Sequence, residues 1–155
     1  MGQGARRFVG RLDHERIVAA IRRAEAGSTG QIRVHVSKRR VPHVQRAAEA
    51  SFQKLGMTAT DHRNGVLIYV APRKRTFAII GDLGIHERCG PAFWSEVAGA
   101  MEVNFREERF TEGIVQGISQ AGAALARHFP RRPGAGPGTT RQAGVAGLPD
   151  EVIED

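Results

Sequence analysis

Two short stretches hold residue types able to do chemistry together, Thr60-Asp61-His62-Arg63-Asn64 and Gly81-Asp82-Leu83-Gly84-Ile85-His86-Glu87. The first precedes an apolar run, Gly65–Ala71, and the second follows another, Thr76–Gly81. Between the runs, Pro72-Arg73-Lys74-Arg75 reads as a short polar turn. The runs should therefore pair as an antiparallel hairpin that sets residue 65 opposite about residue 82. Asp61, Asn64 and Asp82 then meet at one end of a sheet, with His62, His86 and Glu87 nearby. Oxygen donors of this kind suit a hard cation, Ca²⁺ or Mg²⁺, and the histidines point only weakly to a transition metal. A cation on Asp61 and Asp82 would polarise a phosphoryl oxygen or activate water. His62 or His86 would then serve as general acid. Arg63 would attract an anionic substrate, or Arg73–Arg75 would, by long-range steering only, since the turn lies at the opposite hairpin end. The same residues have a plain structural reading: Asp61 and Asn64 are ordinary turn formers, and Gly81-Asp82 can simply end a strand. No EF-hand loop, His-Glu-x-x-His or Gly-x-x-x-x-Gly-Lys-Ser/Thr motif is present.

Other reactive residues carry less. Cys89 precedes the expected helix at Pro91, where a thiol pKa can fall, but no oriented base can be named for it. His35 lies on the less apolar face of an alternating strand and reads as a packed or surface residue. Phe93 and Trp94 read as core, not as a stacking platform.

The elements that must position these residues are legible from periodicity. Asp13 caps a helix that carries Ile17, Ala20, Ile21 and Ala24 at helical spacing and stops at Gly27. Residues 31–37 alternate as a half-buried strand. A second helix runs from about His43 to Leu55, with Gly56 at its end. Gly65–Ala71 is apolar on both faces, which marks a central strand. Pro91 opens a helix bearing Phe93, Trp94, Val97, Met101 and Phe105. A last helix carries Phe110, Ile114, Ile118, Ala121 and Leu125. Gly113 and Gly117 lie four apart on it, and each costs roughly 1 kcal/mol relative to Ala, so a close contact should require them. The expectation is an α/β fold, an α/β/α sandwich. Its small mixed sheet combines a β-α-β crossover with a β-hairpin, and C-terminal helices follow.

The 155 residues suit one domain, and 41% hydrophobic with 25% charged residues suits a packed core. No stretch approaches the ~20 apolar residues of a membrane span, and no signal-peptide core is seen. A single cysteine excludes an internal disulfide, so the expected compartment is cytoplasmic. The net charge is +7, with basic clusters at Arg6-Arg7, Arg22-Arg23, Lys38-Arg39-Arg40, Arg73-Lys74-Arg75 and Arg131-Arg132. Such a field attracts anions by type, not by identity. The basic clusters are not interleaved with aromatics, so no specific nucleic acid is expected as partner. An anionic small molecule or phosphoester fits the charge. The first ten residues are expected to be flexible, and 11–130 to form the domain. Residues 131–155, rich in Pro and Gly, are expected to be a disordered tail with a short acidic–apolar end, Leu148–Asp155, able to dock somewhere.

The ordered part resembles the TPM-domain family, known from thylakoid-lumen and bacterial proteins and described as phosphatase-like. The likeness is carried by Ala24-Glu25, Thr29-Gly30-Gln31-Ile32-Arg33-Val34, Phe52–Thr60, Arg63–Ile68, Arg75–Ile85 and Phe110–Ile114, over roughly residues 10–130. It implies an α/β/α sandwich and, for some members, acid phosphatase activity or bound divalent cations. No organic cofactor is implied. Carried over, the acidic and amide candidates for metal binding are Glu25, Asp61, Asn64 and Asp82. With the histidines read from the same two loops, the candidate catalytic residues are Asp82, Asp61, His62 and His86. Gln31 stands where relatives often carry an acid, and neither a signal peptide nor a C-terminal anchor is seen. Three functions stay open: a metal-assisted phosphatase-like hydrolase, a non-catalytic metal-binding or assembly module, and a binder of anionic surfaces.

Overall fold

A computed structural model of the chain describes residues 12–131 and 151–155. The expected flexible N-terminus, 1–10, and most of the expected tail, 132–150, lie outside the described residues.

Helix α1 (His14–Ala26) starts where the Asp13 carboxylate accepts from Arg16 N, and it turns Ile17, Ala20 and Ile21 inward. Strand β1 (Gln31–Val36) follows, then α2 (Val44–Lys54), which ends before Gly56 in a left-handed conformation (φ 70°). Strand β2 (Gly65–Ala71) is buried at every position, as its two-sided apolarity predicts. A 3₁₀ turn at Pro72–Lys74 leads into β3 (Thr76–Gly81). Helices α3 (Leu83–Cys89), α4 (Pro91–Arg106) and α5 (Phe110–His128) complete the body, and β4 (Val152–Glu154) is a short final strand.

The sheet order is β3-β2-β1-β4. β1 is parallel to β2 and to β4, and β2 is antiparallel to β3 with Val66 opposite Gly81. That register is the one the hairpin arithmetic predicts. Ile32, Val34, Val36, Val66, Ile68 and Val70 share one sheet face and pack with residues of α1, α4 and α5 in the main core. Leu67 and Tyr69, on the other face, join two smaller clusters with Phe52 and Ala48 of α2. The α/β/α sandwich is thus present, with one helix on one face and the rest on the other.

Gly113 and Gly117 sit where α5 crosses α4. A Cβ at Gly113 would overlap the Phe105 ring, and one at Gly117 would lie 2.6 Å from Met101 Sδ. The close contact expected from their spacing is there.

Three expectations are corrected. β1 is buried on both faces, Arg33 and His35 included at 8% exposure, because α2 covers the face that reads as polar and β4 covers the edge. Residues 83–89, read as loop, form helix α3, which Asp82 caps by accepting from Leu83 N. Their spacing shows few apolar positions because only Ile85 is buried. The end of the expected disordered tail, residues 151–155, is ordered against β1. Its few apolar side chains need no core of their own, since β1 supplies the backbone partners.

Candidate functional site

The two stretches do converge. Asp82 N donates to Gly65 O at 2.9 Å, and Gly84 N to Arg63 O at 2.8 Å, which continues the hairpin register past the strands. Arg63 adopts φ 52°, a left-handed conformation unfavourable for a residue with a Cβ. This turn aims its guanidinium back at Asp82. Nε donates to Oδ2 at 2.6 Å and Nη2 to Oδ1 at 2.8 Å. Oδ1 also accepts from Leu83 N at 2.8 Å. Both oxygens of Asp82, which is 6% exposed, are therefore engaged. The bond to Asp82 raises the Arg63 pKa above its ordinary value. Sequence reasoning gives Arg63 to a substrate and misses this pairing. The signal is present, because the hairpin register sets Arg63 opposite Gly84 and diagonal to Asp82.

Asn64 is fully buried at the start of β2. Its backbone N–H donates to Thr60 Oγ1 and its Nδ2 to Thr29 Oγ1, both at 3.0 Å. Its Oδ1 is buried with no partner among the described residues. Thr29 and Thr60, which hold Asn64, are not singled out by the sequence, since lone threonines in loops give no signal.

The remaining candidates are spread out. Asp61, His62 and His86 are exposed. The His62 ring lies 6.0 Å from that of Phe129, and His86 sits on α3. Glu25 is not with Asp82, because β1 and β2 stand between them. Its Oε2 accepts from Ile32 N and Arg33 Nη1, each at 2.8 Å, at the outer edge of β1. Burial pushes the Glu25 pKa up, outweighing the bonds from Ile32 and Arg33. Cys89 ends α3 and packs, partly buried, against the main core. Burial raises its pKa against a smaller pull from Arg127. Trp94 packs edge-on to Phe93 against the main core, as expected.

Among the described residues, no three of His, Cys, Asp and Glu gather to hold a metal ion. A cation at Asp82 would have to displace a guanidinium that already satisfies the carboxylate. In this arrangement the residues do not fit a Ca²⁺ or Mg²⁺ site, and the orphaned Asn64 Oδ1 alone is too few oxygens for such an ion. A cleft of about 500 Å³ lies elsewhere, along the free edge of β3 between Val44 and Trp94.

The opposite end of the sheet carries different chemistry. Lys38, Arg39 and Arg40 follow β1, and Lys74 and Arg75 occupy the β2–β3 turn, all exposed. These loops lie at the carboxyl ends of the parallel strands β1 and β2, where open α/β sheets take ligands.

The TPM domain family matches residues 8–124. The chain belongs to the TPM-domain family. This TPM domain is similar to the BA42 protein of the psychrophilic bacterium Bizionia argentinensis, with a TM-score of 0.78 and 35% identity over 94% of this chain and 96% of that one. The N-terminal domain of cg2496 from Corynebacterium glutamicum shares the fold at 17% identity and a TM-score of 0.58, covering 82% of this chain and 78% of that one. An N-terminal domain from P. gingivalis does so at 16% and 0.53, covering 74% and 76%. No curated protein matches the chain. No helix among the described residues is long and apolar enough to cross a membrane.

Proposed function

We propose that this TPM domain is a non-catalytic binding module for an anionic partner. The observation that carries the reading is the rim of five exposed basic side chains, Lys38, Arg39, Arg40, Lys74 and Arg75, at one end of the sheet. Two loops from adjacent strands present them together, so their fields add toward one partner. At the other end, Asp82 is held by Arg63 and Leu83 N and acts as a strut between the hairpin and α3. A carboxylate so engaged is poor as a base or a cation ligand.

Poly-glutamate titrated against the full chain is the test. Binding should weaken steeply with salt and fall at least about tenfold when Lys38, Arg39 and Arg40 are all changed to Glu, since each contact is a screened surface charge. Unchanged binding in that variant would sink the reading.

A second reading, a metal-assisted phosphatase-like hydrolase with Ca²⁺ or Mg²⁺ near Asp61, Asn64 and Asp82, is favoured by the unpartnered Asn64 Oδ1. Thermal melts with and without each ion, paired with a phosphoester assay, decide between the two. The binding-module reading expects no turnover and no ion-dependent shift. It also expects Asp82→Asn to lower the melting midpoint, because the bidentate Arg63 contact is lost. Turnover that Asp82→Asn abolishes would establish the hydrolase.

A further inference from the structure

The last five residues lie along the outer edge of β1 as an added parallel strand, with Val34 beside Val152 and Val36 beside Glu154. Backbone bonds fix them at both ends. Val34 N donates to Glu151 O at 2.9 Å, Asp155 N to Val36 O at 3.1 Å, and Lys38 N to Asp155 O at 2.7 Å. Backbone pairing of this kind gives affinity, and side chains beside it give specificity. Here each of the three acids meets its own basic group. Glu151 pairs with Arg22 Nε at 3.0 Å, Glu154 with His14 at 3.0 Å, and Asp155 with His35 Nε2 at 3.1 Å. Arg39 and the Ser37 hydroxyl also act on the Asp155 carboxylate. Val152 packs against the main core. Arg22 and His14 come from α1, His35 from β1 and Arg39 from the basic rim, so the body recognises the strand from three directions.

The edge ends where the strand does. Ile32 N, one step before β4 begins, is capped by the Glu25 carboxylate rather than by backbone. The open stretch of β1 is therefore about five residues long and matched to an acidic–apolar–apolar–acidic–acidic strand. Arg131 donates from Nη2 to Glu25 O at 2.6 Å and to Ser28 O at 2.9 Å. Glu151 also acts on the Glu25 carboxyl, so Arg131 and Glu151 both lie beside Glu25.

Resting on the binding-module reading, we infer that the outer edge of β1 is a peptide-binding site for an acidic strand of the Glu-Val-Ile-Glu-Asp type. Residues 151–155 are its built-in occupant, which a partner's acidic segment must displace. Tethered on the same chain, that occupant competes at an effective concentration on the order of millimolar.

The test uses the full chain and a fluorescent octapeptide of sequence Leu-Pro-Asp-Glu-Val-Ile-Glu-Asp. In a parallel ladder with this register Ile153 N points at β1, so Ile153→Pro removes a donor and weakens the resident strand. The peptide should bind that variant at least about tenfold more tightly than wild type, as removal of a tethered competitor requires. Its binding should shift the amide resonances of Val34 and Val36. The octapeptide with its acids changed to Gln and Asn should bind the variant at least about tenfold more weakly. If Ile153→Pro does not fold, the full chain with Glu151→Lys, Glu154→Lys and Asp155→Lys replaces it, with the same expectation. Equal affinity for wild type and variant, no binding to a folded variant, or indifference to the acids would each overturn the inference. Poly-glutamate binding that stays dependent on Lys38, Arg39 and Arg40 in that event leaves the binding-module reading standing. Loss of that dependence overturns the reading as well.

Discussion

Gly84→Ala is expected to lower folding stability by about 3 kcal/mol, the upper part of the range for forcing atoms into a filled space. A Cβ at this position would overlap the His62 carbonyl oxygen and lie 2.7 Å from that of Arg63. Both obstacles are backbone, so no rotamer change relieves them. Moving Arg63 would also break its carbonyl's bond from Gly84 N and misalign its guanidinium on Asp82. Gly99→Ala is the matched control. Gly99 lies inside α4, and a methyl group there would meet nothing within 4 Å. Alanine at this position should be neutral or stabilise by up to about 1 kcal/mol, through the unfolded chain's lost freedom. Urea unfolding checks both. The midpoint should move in opposite directions with the slope unchanged. A Gly84→Ala protein as stable as wild type would mean that the two loops are not locked together as described.

The hairpin, and with it the approach of Arg63–Asn64 to Asp82–Gly84, was legible because it follows from counting residues across one short turn. The helices were legible where apolar side chains recur at helical spacing, as in α1 and α5. What escaped was whatever depends on neighbours distant in sequence. The polar residues Arg33 and His35 read as a solvent face, yet α2 and the final strand cover them. Arg33 bonds to Glu25 there and His35 to Ser51, and Asp155 lies 3.1 Å from the histidine's other nitrogen. Family likeness groups Glu25 with Asp82, and only the sheet order reveals two strands between them. The strand at 152–154 is too short to show a period, and its pairing with β1 spans more than a hundred residues. A segment like that is recognised from its partner, not from its own pattern.

The seat of that strand also resolves an arrangement that looks catalytic. Ser51 Oγ lies 2.7 Å from His35 Nδ1, and Asp155 lies on the ring's other nitrogen. Serine, histidine and aspartate in this order resemble a nucleophile, its base and an orienting acid. Ser51, however, lies within α2 at 7% exposure, where a substrate carbonyl has no approach. Tyr69 closes the histidine from the side, ring to ring at 4.7 Å. The trio anchors the strand: α2 fixes the His35 ring through Ser51, and the ring presents its far nitrogen to Asp155.

Glu25→Ala is expected to destabilise the fold by about 3 kcal/mol, the low end of the range for orphaning a buried charge. Arg33 is 8% exposed and, among the described residues, has one carboxylate within salt-bridge distance, that of Glu25 at 2.8 Å. The low end applies because the Glu25 side chain keeps 23% of its own exposure. The alanine also frees Ile32 N at the edge of β1, a backbone donor that the short β4 does not reach. Glu25→Gln should cost less, since its amide oxygen can still accept from Ile32 N and Arg33. The pH dependence separates charge from shape. Burial raises the folded Glu25 pKa above 4.5. The raised group adds its stabilising increment fully below 4.5, and the increment is lost as pH rises through the folded value. The stability advantage of wild type over Glu25→Gln should therefore be greatest below 4.5 and shrink toward neutrality. Denaturant melts of both proteins across that window measure it. An advantage that instead grows with pH would mean that Arg33 outweighs burial at Glu25. The carboxylate would then be a net stabilising partner and not a tolerated buried charge.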